Sequence, residues 1–293
     1  MNRLVILFGI LAIASSCNKD DAIVVVDASR QAACNRVYEY LPAPGQFINE
    51  TYAPRTMEEA CAWAEKQLAN RYGYVSLGSF GGCIVVGFDH RVACTGGYDL
   101  AVDGNPLDTS SEPGIVWVMQ DENGDGLPND TWYELRGSEY GKPETWQDYT
   151  VTYYRPEENG ASIRWEDDRG GSGTIDRVGY HRQESYYPAW VEAGSYTLRG
   201  TRLEARNRFD GVQWVNPPYE WGYADNFSAI DRIADSGTNR FRIVDAVQAD
   251  GQPARLDGID FVKVQTGVLA QSGDLGEAST EIFAIRDLNS PLR

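Results

Sequence analysis

The sequence predicts a mainly β protein, a jelly-roll-like β-sandwich with one N-terminal α-helix packed on it. Three observations lead there. Short apolar or alternating runs are separated by turn signals along most of the chain, one stretch alone carries clear helical periodicity, and aromatic residues make up 12% of 293 residues.

The helix comes first. In TMEEACAWAEKQLANRYG (56–73), Thr56 is placed to cap the amide of Glu59 while Glu59 reaches back, the two halves of a capping box. Met57, Cys61, Ala64 and Leu68 fall on one stripe, and Gly73 ends the segment, so the helix is placed at 56–70 and expected to pack on a sheet. Strands follow. CIVVGF (83–88) and IVWVM (115–119) are continuous apolar runs, whereas VTYYR (151–155), SYTLRGTRLEAR (195–206) and DFVKVQTGV (260–268) alternate. Gly-Gly, Asp-Gly and Asn-Gly turns separate them. In the last run Val262, Val264, Thr266 and Val268 share one face and Lys263 and Gln265 the other, which predicts a sheet with one side in a core and one in water. No repeat of propeller period is present.

The chain begins MNRLVILFGILAIASSC, one Arg, an apolar run and small residues before Cys17. Such a segment is too short and wrongly flanked for a membrane span and reads as a bacterial lipoprotein signal, removed as residues 1–16 to leave Cys17 as a lipid-bearing first residue. Residues 17–33 are then a lipidated tether and 34–293 a single sandwich domain. Lys19-Asp20-Asp21 is similar to the acidic signal that sends lipoproteins of the Bacteroides group to the outer face of the outer membrane, or is a solvated charge cluster.

Net charge is −17, and −18 once residues 1–16 with Arg3 are gone. A surface of that sign repels nucleic acid and anionic membranes and suits neutral or cationic ligands, calcium, or simple solubility outside a cell. Besides Cys17 there are Cys34, Cys61, Cys83 and Cys94. Four thiols in an oxidising compartment allow three connectivities, and the short separations favour Cys34–Cys61 and Cys83–Cys94. The absence of a CxxC pair argues against zinc.

QDENGDGLPND (120–130) carries the densest set of oxygen donors. Asp121, Asn123 and Asp125 recur at every second position, Gly126 allows a tight bend and the carbonyl of Leu127 is placed to point inward, as in the first seven positions of an EF-hand loop. The match then fails: position twelve is Trp132 rather than a bidentate Glu, and the flanks read as strands. Asp130 is placed to close the site, with Glu134 a weaker donor. The expectation is a structural calcium ion, and the alternative an Asx-rich turn.

Catalytic motifs are missing. His90 and His181 are the only histidines, which excludes HExxH and other poly-His centres, and no GxSxG elbow, Walker A loop or GxGxxG fingerprint is present. Paired carboxylates for glycoside hydrolysis stay open, because any two of 43 acidic residues are potential partners across a groove. The positive signal is aromatic: SYYPAW (185–190), with Tyr186, Tyr187 and Trp190, and VQWVNPPYEWGYADNF (212–227), with Trp214, Tyr219, Trp221 and Tyr223. Adjacent prolines and absent alternation make the second stretch a loop expected to expose some rings, suited to sugars or other flat, partly apolar ligands. The alternative is that these rings pack their loops onto the sandwich. Trp146 and Trp165 are lesser candidates.

The stretches VYEYLPAPGQFINE, YVSLGSFGGCIVVGFDH, SSEPGIVWVMQDENGDGLPNDTWYELRGSE, WGYADNF and IDFVKVQTGVLAQSGDLGEASTEI run in order along essentially the whole mature chain. Together they resemble a group of Bacteroides-type cell-surface lipoproteins similar to those encoded beside vitamin B12 transporters. The resemblance implies a surface lipoprotein that captures a cobamide and hands it to an outer-membrane transport complex. Asp274 in SGDLGE departs from the aromatic residue the resemblance leads one to expect there, and it joins the candidate ligand-binding positions. Two further readings stand beside it: a glycan-binding surface lipoprotein and a surface glycoside hydrolase.

Overall fold

The computed structural model describes residues 32–70 and 72–290. The signal segment, Cys17 and nearly all of the tether lie outside the described residues.

Six antiparallel strands form the main sheet, in the order Arg36–Leu41, Cys83–Ala93, Gly258–Thr266, Gly114–Met119, Trp132–Leu135, Ala246–Val247. Apart from the consecutive pair Gly114–Met119 and Trp132–Leu135, neighbours in space are far apart in sequence, as a jelly-roll-like sandwich requires. The central strand Gly258–Thr266 is the sequence's alternating DFVKVQT run, and it pairs Val262 with Val86 on one side and with Val118 on the other. A four-stranded sheet runs Ser195–Arg202, Trp146–Tyr154, Ile163–Asp167, Ser172–Ile175, and a three-stranded one Thr238–Phe241, Leu100–Asp103, Ala284–Asp287. Two short pairs complete the set, Arg208–Phe209 with Trp214–Val215 and Glu281–Ile282 with Val75–Ser76.

The helix spans Met57–Ala69. Thr56 Oγ1 accepts the Glu59 amide at 3.1 Å as read from sequence, but the Glu59 carboxylate takes the amide of Arg55 rather than that of Thr56. Asn70, not Gly73, caps the far end. The buried stripe is Ala60, Cys61, Ala64 and Leu68, and Met57, expected on it, is 36% exposed. This face joins Val37, Ile84, Val86, Val116, Val118, Val262 and Val264 in the largest core.

The opposite face of the main sheet is covered too, and this corrects the expectation of a water-facing side. Gln265 is 1% exposed, and a Cβ on Gly200 would lie 1.7 Å from its Oε1, so the strand Ser195–Arg202 passes directly over it. Lys263 is half-buried with its ammonium 4.7 Å from the Trp117 ring centroid and 5.2 Å from that of Trp132. Glu134 accepts the Thr201 hydroxyl at 2.5 Å in the same layer. Alternation within a strand distinguishes the two faces of a sheet but not whether a second sheet lies beyond one of them.

The expected disulfides are not formed: Cys34, Cys61, Cys83 and Cys94 are all free. Cys83 opens the eleven-residue strand Cys83–Ala93 and Cys94 follows its end. Cys83 lies opposite Gln265 and Ala93 opposite Gly258 on the neighbouring strand, so at about 3.3 Å per residue the two cysteines stand roughly 20–25 Å apart, far beyond the ~7 Å Cα separation that a bridge spans. Short sequence separation favours a bridge only where the chain turns back, and here it continues along one bulged strand. Cys61 sits on the helix, while the Cys34 amide donates a hydrogen bond to the Ile285 carbonyl at 2.8 Å. Burial pushes the thiols of Cys34 and Cys83 up to about 12, which suppresses the reactive thiolate.

Candidate functional site

The clearest cleft is built where the aromatic loop 212–227 crosses the ends of two sheets. Trp221 stands half-buried at one wall. Its place is set by a close backbone crossing: Gly222 has φ of 90°, and a Cβ there would lie 2.4 Å from Gly137 Cα. Only glycine allows that approach in that conformation. The carbonyl of Trp221 accepts the Ser138 amide at 3.0 Å, and the Gly222 amide donates to buried Asp231 at 2.5 Å. Asp231 also accepts from Asn239 Nδ2 at 3.1 Å, so the loop is fastened from both sides.

Tyr98, Trp221, Ile230 and Phe241 give the cleft of about 240 Å³ its apolar surface. Phe241 is buried at the base, and Ile230 is 51% exposed at the rim. Arg136, Arg240 and Arg242 supply positive charge to the same walls. Arg242 forks onto Asp245 with two bonds of 2.9 Å, Arg136 Nη2 stands 3.9 Å from the same carboxylate, and the Arg240 guanidinium lies 4.3 Å over the Tyr98 ring. The arrangement couples flat apolar rings to fixed guanidinium donors in an otherwise acidic protein. Such a surface suits a ligand that is part planar hydrocarbon and part amide, hydroxyl or phosphate.

Of the expected ligand-binding residues, Trp221 alone lines this cleft. Tyr186, Tyr187, Trp190, Tyr219 and Tyr223 are buried, at 2, 0, 7, 3 and 2% exposure, so the expectation that they face a ligand is corrected to core packing. Their polar atoms mostly turn to the protein: Tyr186 and Tyr187 hydroxyls donate to the carbonyls of His181 and Ala193, Tyr219 to Glu204, and Tyr223 accepts the Glu139 amide. Trp214 is half-buried in a second patch, against exposed Phe209 and the turn Gly273–Leu275 that carries Asp274. The arginines and Tyr98 were missed in the sequence. The available signal was the alternation in NRFRIV, which places Arg240 and Arg242 two residues apart around Phe241.

The loop 120–130 folds around its own amides. Asp121 accepts the amides of Gly124 and Gly126 at 2.8 and 3.0 Å, Asn123 that of Asp125, Asp125 that of Leu127, and Asp130 that of Glu122. The Leu127 carbonyl, expected to point at an ion, instead accepts the Asn129 amide at 2.9 Å. Glu134, the weaker donor, lies in the main sheet bonded to Thr201 and away from the loop. Among the described residues the carboxylates that converge within 4.8 Å of one another are a different set, Glu112, Asp225 and Glu281. No protein-family model matches this chain, and no curated protein does.

Proposed function

We propose that this chain is an outer-membrane lipoprotein, anchored through Cys17 and displayed at the cell surface, that binds a cobamide and delivers it to an outer-membrane transport complex. The observation that supports it is the Trp221 cleft. A corrin is a flat, largely apolar macrocycle edged with amides and carrying a phosphodiester, so one edge suits the indole, Tyr98 and Phe241 while the amide and phosphate oxygens suit Arg136, Arg240 and Arg242. The cleft is smaller than the ~300–1,000 Å³ that encloses a typical small ligand. It holds an edge of the corrin and leaves the remainder for the partner that receives it. The loop 120–130 is assigned a structural calcium ion, drawn by Asp121, Asn123, Asp125 and Asp130. Calorimetric titration of the chain after Cys17 with cyanocobalamin tests the reading: one-to-one binding weakened by Trp221→Ala supports it. Binding of a glycan without heat from cyanocobalamin would replace cobamide with sugar, since a tryptophan beside Asp–Arg pairs also stacks a pyranose. Release of reducing sugar from polysaccharide would replace both with hydrolysis.

A further inference from the structure

Three acids far apart in the chain meet inside it. Glu112 precedes the strand Gly114–Met119, Asp225 follows the Tyr223–Ala224 pair, and Glu281 opens the strand Glu281–Ile282, yet one oxygen of each lies within 4.8 Å of the others. Asp225 and Glu281 are 1 and 3% exposed.

Backbone amides position the group. Asp225 Oδ1 accepts from Asn105 and Oδ2 from the amide of Glu281, both at 2.9 Å, and Glu112 Oε1 accepts from Ser279 at 3.2 Å. The Glu112 amide in turn donates to the Asp225 carbonyl at 3.0 Å. Gly104 closes over the site so tightly that a Cβ would lie 2.7 Å from Asp225 Oδ1.

Among the described residues no Lys, Arg or His forms an ion pair with any of the three. Glu281 Oε1 is buried without a hydrogen-bond partner, while the same carboxyl group reaches Ser279 and the Glu112 carboxyl. An unpaired carboxylate oxygen in the interior is costly, and folded proteins rarely keep one without a proton, water or cation to meet it. Three oxygens that share one calcium ion at about 2.3–2.6 Å stand no more than about 4.5 Å from one another, within the 4.8 Å limit this group meets, and an all-carboxylate donor set selects hard cations over zinc or copper.

We propose that Glu112, Asp225 and Glu281 form an internal site for a divalent hard cation, calcium first, which ties the strand Glu281–Ile282 to the loop after Tyr223 and to the entry of the main sheet. Burial pushes the Glu112 carboxyl up to about 7 and those of Asp225 and Glu281 well above their usual range. The site is separate from loop 120–130, and its occupancy is independent of what the Trp221 cleft binds.

The experiment uses the chain after Cys17, stripped with chelator and dialysed against calcium or magnesium, with bound metal counted by mass spectrometry and Tm followed. A variant carrying Asp121→Asn and Asp125→Asn removes the loop as a competitor. It should still hold one calcium per chain and gain roughly 5–10 °C in Tm when calcium is about 100-fold above its Kd. Adding Glu281→Gln, or separately the less buried Glu112→Gln, should abolish that ion and that rise. A loop variant that binds neither calcium nor magnesium overturns the proposal without recourse to any core substitution. So does an undiminished ion in folded Glu281→Gln protein.

Discussion

Segment 185–190 turns Tyr186, Tyr187 and Trp190 into the cores, whereas segment 212–227 divides its rings, burying Tyr219 and Tyr223 and leaving Trp214 and Trp221 half-exposed. The difference comes from what crosses each loop. The first is roofed by Tyr196, whose ring meets Tyr187 edge-on at 5.1 Å, and by Tyr40, which packs on Trp190 at 5.5 Å. The second is pinned at Gly222, which holds the backbone against Gly137 while the neighbouring indole projects over the cleft. Aromatic density in a sequence therefore marks rings without assigning them. A crossing strand makes core, and a glycine-bound backbone beside unroofed arginines makes a cleft.

Substitutions should separate the two regions. Tyr187→Ala removes a fully buried ring and should cost about 3–5 kcal/mol in denaturant unfolding, with cobamide affinity of the folded fraction unchanged. A loss of affinity there would mean that the first segment also shapes the site. Trp221→Ala should reverse the pattern, weakening cyanocobalamin binding about tenfold or more while unfolding shifts by only about 1 kcal/mol.

A third change tests the covered face of the main sheet. Burial raises Glu134 from 4.5 to about 7. Because its folded pKa lies above the unfolded one, its stabilising proton is present below about pH 4.5 and lost as pH rises to about 7. Glu134→Gln keeps an acceptor for Thr201 and should flatten that decline, leaving the variant more stable than the parent at pH 8 by about 2–3 kcal/mol. Parallel stability–pH curves would show instead that water reaches this layer. The smallest effect belongs to the exposed loop: Asp121→Ala frees two amides that solvent can satisfy and should cost about 1 kcal/mol without calcium. A larger difference in calcium, abolished by chelator, would support an ion there. Equal Tm in calcium and chelator would leave only the Asx-rich turn.

Much of the fold was legible. The strands at 83–88, 115–119 and 260–268, the helix and its Thr56 cap follow from periodicity and turn chemistry that act within a few residues. What failed depended on distant partners. Gln265 alternates like a surface residue and is buried because Gly200 lies over it, and Cys83 and Cys94 look close because eleven residues read as a short gap until they are known to be one long strand. The acidic residues make the same point. Asp121, Asn123 and Asp125 advertise themselves by spacing and bond their own amides, whereas Glu112, Asp225 and Glu281 carry no spacing signal and converge through the topology. Local patterns reveal turns, and long-range convergence requires the fold.

The most direct measurement is a paired calorimetric titration of the parent and Trp221→Ala proteins with cyanocobalamin, both in calcium and both shown folded by near-ultraviolet circular dichroism. The account predicts one site per chain in the parent and an affinity at least about tenfold lower in the variant. Identical isotherms from the two proteins would place the ligand elsewhere, and no heat from the parent would contradict the cobamide assignment itself.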